Sequence, residues 1–214
     1  MGIIAVAGRK GGIGKSTIAG NLAGEFVDMG RRVIVLDADP QHSLAGWASL
    51  GEGILSKCIE RIHKGDSEEL KTRARKAAGK ADIVMIDTPP GMTDTLYEAA
   101  MAADLVLLPC GPSPLDMLAI KDALSLTLKA RAERRSKKPR IRFVPSRVTN
   151  TNLGRGLSSE LEGMGKKVLP GITQRVAVAE AVNYGLTVRE FAGAAASKDE
   201  FRALAKAVEK ILDR

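Results

Sequence analysis

Lysine occurs twice in one glycine-rich stretch near the start of the chain, at Lys10 and Lys15. In such a stretch the glycines let the backbone curl so that its N–H groups converge on an anion, and a helix that follows adds its partial positive charge. A lysine ammonium and a neighbouring hydroxyl then complete a site for the phosphates of a nucleotide and for Mg²⁺. We therefore expect this loop to bind phosphate through Gly11, Gly12, Ile13, Gly14, Lys15, Ser16 and Thr17.

The two lysines have different expected roles. Lys15 would reach the β- and γ-phosphates, and Ser16 would offer its hydroxyl to Mg²⁺. The ordinary phosphate-loop pattern needs a glycine at position 9, where this chain has Arg9. Lys10 is therefore a second cation beside the same phosphates. The alternative, a glycine-rich turn with an exposed lysine, is disfavoured because an apolar run precedes the loop and helical periodicity follows it.

Two further apolar runs end in aspartates. Val33–Leu36 leads to Asp39, and Ile83–Ile86 leads directly to Asp87. Because ligands bind outside the carboxyl ends of parallel strands, we expect both carboxylates to face the same pocket as the loop. Asp87 suits Mg²⁺, held through a water, and Asp39 suits the orientation and deprotonation of an attacking water. Either aspartate taken alone could equally be a turn former or a helix cap.

The rest of the chain must position these groups. With 214 residues, 44% of them hydrophobic, it can bury one substantial core, which predicts a single domain spanning residues 1–214. Alternating apolar runs and helical periodicity predict an α/β fold, with a doubly wound, mostly parallel sheet flanked by helices. The expected strands lie near residues 3–7, 33–37, 83–87, 105–109 and 141–145, with a sixth near 166–169. The expected helices lie near 16–29, 43–50, 95–102, 115–133 and 199–212, and residues 54–80 are expected to form surface helices bordering the nucleotide face.

The order of these motifs resembles the ParA/MinD family of deviant Walker A ATPases, and the resemblance covers nearly the whole chain. It rests on residues 10–17 (KGGIGKST), 37–41 (DADPQ) with Trp47, 87–90 (DTPP), 103–109 (ADLVLLP), 112–114 (PSP) and 172–177 (ITQRVA) with Glu180, Ala181 and Gly185. The Asp-x-Asp-Pro-Gln element points to the ParA branch.

The resemblance implies a P-loop fold that binds ATP and Mg²⁺. It implies a homodimer in which two subunits enclose two ATP molecules, with Lys10 of each reaching the phosphates held by the other. Lys10, Lys15 and Asp39 would then be the catalytic residues of a slow ATPase, whose hydrolysis ends the dimeric state. A separately encoded ParB-like protein or other cargo adaptor would stimulate hydrolysis, and the cargo would be a plasmid, a chromosome region or a protein body.

The expected contacts to the base depart from the family pattern. Many relatives carry an Asn-Arg pair after the strand near residues 141–145, whereas this chain has Ser146 and Arg147. A proline-containing loop contacts the base in relatives, which points to Pro170 here. The preference for ATP over GTP therefore rests on the resemblance.

Composition excludes several related activities. Cys58 and Cys110 stand far apart, so neither a disulfide framework nor the thiolate set of an iron–sulfur carrier is predicted. His42 and His63 are expected to be a loop residue and a helix-surface residue rather than metal ligands. The sequence shows neither a signal peptide nor a membrane-spanning run, which predicts a cytoplasmic protein. The DNA binding that the resemblance implies would make it nucleoid-associated.

The positive charge of the chain is concentrated in one segment. Lys and Arg number 33 against 25 for Asp and Glu, and the segment from Lys129 to Arg147 holds nine basic residues against Glu133 alone. Such a patch suits sequence-independent binding to DNA phosphates, although a solvated helix end would carry the same charges. The DNA-binding candidates of this cluster are Arg134, Arg135, Lys137 and Lys138. The family resemblance adds Arg175, Lys198 and Arg202, in the C-terminal part of the chain.

The composition of the C-terminal helix bears on whether the protein binds a membrane. MinD-like relatives cycle on membranes through a short amphipathic segment with a basic face. Here Phe201, Leu204 and Val208 form an apolar stripe, but Glu200 and Glu209 share the polar face. This balance predicts a helix that packs on its own domain, so no membrane partner is expected, and a MinD-like membrane-cycling ATPase remains the alternative function.

Overall fold

A computed structural model of the protein describes residues 2–62 and 69–213. Its six strands form one parallel sheet in the order β3-β2-β4-β1-β5-β6. The strands are β1 (Gly2–Val6), β2 (Val33–Asp37), β3 (Ile59–Arg61), β4 (Ile83–Asp87), β5 (Leu105–Cys110) and β6 (Arg140–Pro145). Every residue of β1, β4 and β5 is buried, as expected for central parallel strands covered on both faces.

Helices cover both faces of the sheet. They are α1 (Lys15–Asp28), α2 (Ser43–Ala48), α3 (Leu70–Ala78), α4 (Thr93–Ala102), α5 (Pro114–Glu133), α6 (Asn152–Gly163), α7 (Val176–Asn183) and α8 (Ala195–Leu212). Ile3 and Ala5 of β1 pack with the apolar cluster that contains α3, α4 and α5, whereas Ile4 and Val6 pack with the cluster that contains α1, α2 and α8. The alternation follows from the two-residue period of a strand, and it gives the doubly wound architecture predicted from the sequence.

The sixth strand was predicted in the wrong place. It is β3, which pairs with β2 at the edge of the sheet, whereas near residues 166–169 the structure has an isolated bridge between Phe143 and Val168. β3 is short, and its Glu60 and Arg61 are exposed, so it lacks the apolar run that marks the other strands. Edge strands of this kind are often short and charged.

The prediction of surface helices over residues 54–80 was also wrong in part. The described residues of this segment form a 3₁₀ turn at Ile54–Lys57, then β3, then α3, and α3 places Leu70, Ala74 and Ala77 in the core. Residues 63–68, including His63, lie outside the described part of the chain. Within the residues that the structure describes, no helix is long and apolar enough to cross a membrane.

Candidate functional site

A cavity of about 680 Å³ opens at the carboxyl ends of the strands, within the size range of small-molecule sites. One side is formed by the glycine-rich loop and the first turn of α1, and the other by residues 172–175 and α7. Its lining comprises Gly11, Gly12, Gly14, Lys15, Ser16, Thr17, Ile18, Asp39, Gln41, Ser43, Pro90, Ser146, Arg147, Ile172, Thr173, Gln174, Arg175, Val178, Ala179, Val182 and Asn183. The structure thus brings most of the expected phosphate-loop residues together with Asp39.

The loop owes its shape to glycines that no other residue could replace without strain. Gly12 and Gly14 have φ of 72° and 87°, in the left-handed region that favours glycine. A Cβ atom on Gly14 would also lie 2.7 Å from Ser146 Oγ, so the loop fits closely against the end of β6. Because α1 begins at Lys15, immediately after Gly14, its N-terminal N–H groups point towards the cavity. Ile13 is buried beside the loop rather than in the cavity lining.

Lys15 is held below the loop by its own backbone. Its Nζ donates a hydrogen bond to the carbonyl oxygen of Lys10 at 3.0 Å, and the side chain is buried. Burial lowers the pKa of Lys15, and the nearby carboxylates of Asp87 and Asp39 partly offset that effect. A buried ammonium needs a nearby negative charge to remain protonated, and a bound phosphate would supply one.

Asp87 fits a cation. It is fully buried, and neither carboxylate oxygen has a hydrogen-bond partner among the residues that the structure describes. Burial raises the pKa of Asp87 to about 7, against the lowering influence of the Ser16 hydroxyl and of the Lys15 charge. A carboxylate that is buried without a partner is costly, and an oxygen-ligated hard cation would remove that cost. Ser16 and Asp87 are therefore the residues that would hold Mg²⁺.

The described residues contain no group of three or more His, Cys, Asp and Glu placed to bind a metal together. Such a sparse protein contribution is what Mg²⁺ needs when most of its ligands are substrate phosphates and water. The donor set therefore favours a cation that enters with a nucleotide over a metal held by the protein alone.

Asp37 and Asp39 differ in what they contact. The carboxylate of Asp37 accepts hydrogen bonds from the backbone N–H groups of Ala45 at 2.9 Å and Asp39 at 3.1 Å, so it fixes the loop after β2 and the start of α2. Asp39 accepts one from the Gln41 N–H at 2.9 Å and lines the cavity. Asp39 is thus the carboxylate that can orient a water in the cavity.

Lys10 points away from the cavity. Its Nζ donates to Asp116 Oδ1 of α5 at 2.5 Å, in an adjoining cleft that also contains Thr149 and Gln174. Asp116 lies in the first turn of α5, where a carboxylate is stabilised by the helix dipole. The second cation of the loop is therefore held by a neighbouring helix in a single chain, and not at the phosphate position of its own loop.

The wall opposite the loop was largely missed by the sequence analysis. Ser146 and Arg147 line the cavity as expected, and Arg147 donates to the carbonyl oxygen of Gly12 at 2.6 Å. The structure does not place Pro170 in the lining, where Ile172 and Thr173 are found instead. Most of the wall consists of apolar or uncharged residues whose sequence carries no chemical signature, although residues 172–175 lie within a motif that supported the resemblance.

Several DNA-binding candidates have structural partners. Arg134 donates to the carbonyl oxygens of Ala100 and Ala103 at the end of α4, at 3.1 Å and 2.5 Å, and burial lowers the pKa of its guanidinium. Lys138 pairs with Asp104 at 2.8 Å, whereas Arg135 and Lys137 are exposed. Arg134 and Lys138 therefore stabilise the fold in addition to any role in DNA binding.

The C-terminal candidates differ among themselves in the same way. Arg202 pairs with the buried Glu25 at 2.8 Å and also with Asp28, so the structure assigns it to the contact between α8 and α1. Arg175 lines the cavity and pairs with Glu200 at 3.0 Å. Lys198, in the first turns of α8, is half-buried. Of these three residues, Lys198 is the one that best fits the DNA-binding role predicted from the sequence.

A parallel sheet that carries a glycine-rich loop, a buried lysine and two carboxylates at its carboxyl edge defines a nucleotide-binding P-loop protein. The chain belongs to the CobQ/CobB/MinD/ParA nucleotide binding domain family, which matches residues 4–188. It is thus a nucleotide-binding ATPase of the ParA/MinD family, as its motifs predicted.

Comparison with individual proteins places the chain in the ParA-like branch. It is 34% identical to maintenance of carboxysome distribution protein A of Gloeobacter kilaueensis over 116 residues, which are 54% of this chain and about half (51%) of that relative. It is 28% identical to the chromosome-partitioning ATPase Soj of Thermus thermophilus over 241 aligned positions, 96% of this chain and 94% of Soj. An ATP complex of a variant of Cyanothece McdA has the same fold, with a TM-score of 0.78 at 19% identity over 100% of this chain and 96% of that one.

Proposed function

We propose that this protein is a partitioning ATPase that forms an ATP-dependent sandwich dimer, binds DNA without sequence preference, and positions a cargo. The observation that supports the proposal is that the two lysines of one loop occupy different environments. Lys15 is buried beside Asp87 and Asp39, whereas Lys10 is held outside the cavity by Asp116. A loop with one lysine for its own nucleotide and another directed elsewhere suits a site completed by two subunits.

The groups that line the cavity support the proposed binding of ATP. The loop N–H groups, the N-terminus of α1 and Lys15 would bind the phosphates, and the wall formed by Ile172, Val178 and Val182 would cover the base. Ser16 and Asp87 would hold Mg²⁺, which neutralises charge on the phosphates when it is bound. Asp39 would orient the attacking water and accept its proton.

Lys10 would act across the dimer. It must leave Asp116 to reach phosphates bound by the other subunit, where a second cation would stabilise charge that develops during phosphoryl transfer. The exchange is feasible because the side chain of Lys10 is 37% exposed and lies in a cleft next to the cavity. Hydrolysis would then be slow in isolation and would end the dimeric state.

The names of two relatives support the proposed cargo. One is named for carboxysome distribution and another for chromosome partitioning, which supports a plasmid, a chromosome region or a protein body as cargo. We infer that a separately encoded ParB-like or other adaptor stimulates hydrolysis, and that the protein works in the cytoplasm on the nucleoid. The membrane alternative is not favoured, because Phe201, Leu204 and Val208 of α8 are fully buried within the domain.

The test is a gel-shift titration of unrelated DNA duplexes with ATP, ADP and no nucleotide, for the wild type and Asp39→Ala. Wild-type protein should bind only with ATP, and binding should weaken as salt rises. Asp39→Ala should remain DNA-bound without turning ATP over. Asp82→Ala, at the opposite edge of the sheet, should behave as wild type. Rapid turnover by Asp39→Ala would refute its role, and absence of DNA binding in every state would refute the DNA function.

A further inference from the structure

Glu200 of α8 connects the C-terminal helix to one wall of the cavity. Its Oε2 accepts a hydrogen bond from the backbone N–H of Thr173 at 3.0 Å. Its Oε1 accepts from the Thr173 hydroxyl at 2.7 Å and from the Arg175 guanidinium at 3.0 Å. One carboxylate thus satisfies donors from two residues that both line the cavity.

The opposite side of this wall forms backbone hydrogen bonds with the end of β6 and the loop that follows it. The Ile172 N–H donates to the carbonyl oxygen of Pro145 at 2.8 Å, and the Gln174 N–H donates to that of Val148 at 2.9 Å. Of the side-chain hydrogen bonds within the described residues, those that reach Thr173 and Arg175 from another element come from Glu200. The wall is therefore fixed from two sides, and α8 provides one of them.

The position of Arg175 also determines where α7 begins. Arg175 immediately precedes α7, and no side chain caps this helix at that residue. Val178 and Val182 of α7 form much of the apolar lining. A shift at Thr173–Arg175 would therefore move the surface that would cover the base.

The same helix is tied to the other side of the cavity. Arg202, two residues after Glu200, pairs with the buried Glu25 of α1 at 2.8 Å. Because α1 starts at Lys15, this contact fixes α8 against the helix that carries the phosphate loop. α8 thus sets the distance between the loop and the opposite wall without contributing a residue to the cavity lining.

We propose that Glu200 is a positioning residue for nucleotide binding, which holds the wall at Thr173–Arg175 in the geometry that accepts the base. The proposal rests on the proposed function, in that it takes ATP as the ligand of the cavity. Glu200 acts through Thr173 and Arg175 and does not touch the ligand. Its removal would leave an N–H, a hydroxyl and a guanidinium without their acceptor, so the wall would have to be ordered when the nucleotide binds.

The expected effect of Glu200→Ala is a loss of ATP affinity on the order of tenfold, because a preorganised wall and charge-assisted hydrogen bonds disappear together. The dissociation constant, measured by calorimetry, and KM should rise together, while kcat stays within about twofold, since Glu200 makes no contact that changes during the reaction. Glu200→Gln should fall between the two proteins, because its amide oxygen can still accept one hydrogen bond.

Glu209→Ala is the matched control. Glu209 lies on the same helix and pairs with Arg31 at 2.6 Å, and its side chain is 24% exposed, against 21% for Glu200. Among the described residues, its side-chain partner Arg31 lies outside the cavity lining, so Glu209→Ala should cost similar thermal stability but leave ATP affinity unchanged. If Glu200→Ala does not fold, Glu200→Gln and Glu209→Gln carry the same comparison.

Two results would overturn the proposal. One is wild-type affinity in Glu200→Ala or, where that variant does not fold, in Glu200→Gln. The other is an equal loss of affinity in the Glu209 variant at equal loss of stability, which would show that α8 acts through stability alone. A wild-type protein that binds no ATP would instead overturn the proposed function, and this inference with it.

Discussion

A negative charge on Asp87 is energetically costly in the nucleotide-free protein. Its carboxyl group lies in the interior, where burial, together with the negative charges of Asp37 and Asp39, raises its pKa to about 7. The positive charge of Lys15 offsets part of the increase in the pKa of Asp87. Burial, however, lowers the pKa of Lys15 and so disfavours that positive charge. A cation bound there, as proposed, would offset the free energy that burying the Asp87 carboxylate costs.

The first prediction concerns the pH dependence of stability without nucleotide. Between the ordinary pKa of 3.8 and the folded value of about 7, the folded protein retains a proton on Asp87 that the unfolded chain releases. The free energy of unfolding should therefore fall as pH rises through this window, and Asp87→Asn should remove that part of the dependence. Urea unfolding at several pH values would measure it.

Asp82 is the control for this experiment, because its pKa shifts in the opposite direction. Arg32 lowers the pKa of Asp82 to about 2, so its contribution is present above 3.8 and is lost as pH falls towards 2. Asp82→Asn should therefore leave the slope between pH 4 and 7 as in the wild type. Equal slopes for the wild type and Asp87→Asn would contradict the assignment.

The second prediction separates the two lysines of the loop. Lys10→Ala should bind ATP about as well as the wild type, because the Lys10 ammonium contacts Asp116 and lies outside the cavity. It should lose dimerisation or partner-stimulated hydrolysis. Lys15→Ala should abolish ATP binding. Calorimetry and sedimentation with ATP would measure both, and stimulated turnover in Lys10→Ala would refute a role for Lys10 across the dimer.

The elements could be predicted from the sequence where burial is uniform. The five strands β1, β2, β4, β5 and β6 stand close to their predicted positions, because a strand covered on both faces is a nearly continuous apolar run. The edge strand β3 has no such run, and it was missed. The loop and Asp39 were predicted for a related reason, since their residue types match one chemistry at fixed spacing.

The rest of the site depends on contacts between distant parts of the chain. The pairing of Lys10 with Asp116 joins residues 106 positions apart, and that of Thr173 with Glu200 joins two elements that share no motif. Val178 and Val182 line the cavity only because α7 packs beside the phosphate loop. No local pattern of apolar and polar residues could have shown these contacts.

The third prediction is made for the packing of α8 on α1. Glu25 is fully buried and forms ion pairs with both Arg189 and Arg202, at 2.9 Å and 2.8 Å. Arg202→Ala should lower the free energy of unfolding by about 1–3 kcal/mol, less than the full cost of an unpaired buried charge because Arg189 remains. Denaturant unfolding would measure the change.

Lys198→Ala is the control on the same helix, with an expected change below about 0.5 kcal/mol because Lys198 is only half-buried and, within residues 2–62 and 69–213, forms no ion pair with a buried charge. The two variants also decide between a structural and a DNA-binding role for Arg202. An Arg202→Ala protein of unchanged stability that no longer binds DNA would restore the interpretation drawn from the sequence.

Across the whole molecule, fewer basic side chains are available to contact a partner than the composition suggests. The formal excess is +8, and it lies in the segment from Lys129 to Arg147. Within that segment Arg134 donates to backbone carbonyls of α4, Lys138 pairs with Asp104, and Arg140 donates to the Ile211 carbonyl. Arg135 and Lys137 remain exposed, on the loop that precedes β6.

This loop lies at the wrong edge of the sheet for a nucleotide-dependent surface. It precedes β6 and is therefore at the amino edge, whereas the cavity opens at the carboxyl edge, where the dimer would form. The start of α8, with Lys198, lies beside the cavity wall that Glu200 holds. In a dimer that encloses two nucleotides, surfaces near the cavities of both subunits become continuous, whereas the two amino edges face apart.

The fourth prediction follows from this geometry. Lys198→Glu should weaken ATP-dependent DNA binding and reduce the slope of log affinity against log salt by about 1 for each DNA phosphate that the protein no longer neutralises. Arg135→Glu combined with Lys137→Glu should leave the ATP-dependent part largely intact and remove only weak binding that is present in every nucleotide state. DNA titrations of both variants at several salt concentrations, with ATP and with ADP, measure the difference. Loss of ATP-dependent binding in the double variant, with normal binding by Lys198→Glu, would place the DNA surface at the amino edge and would require a dimer in which those edges meet.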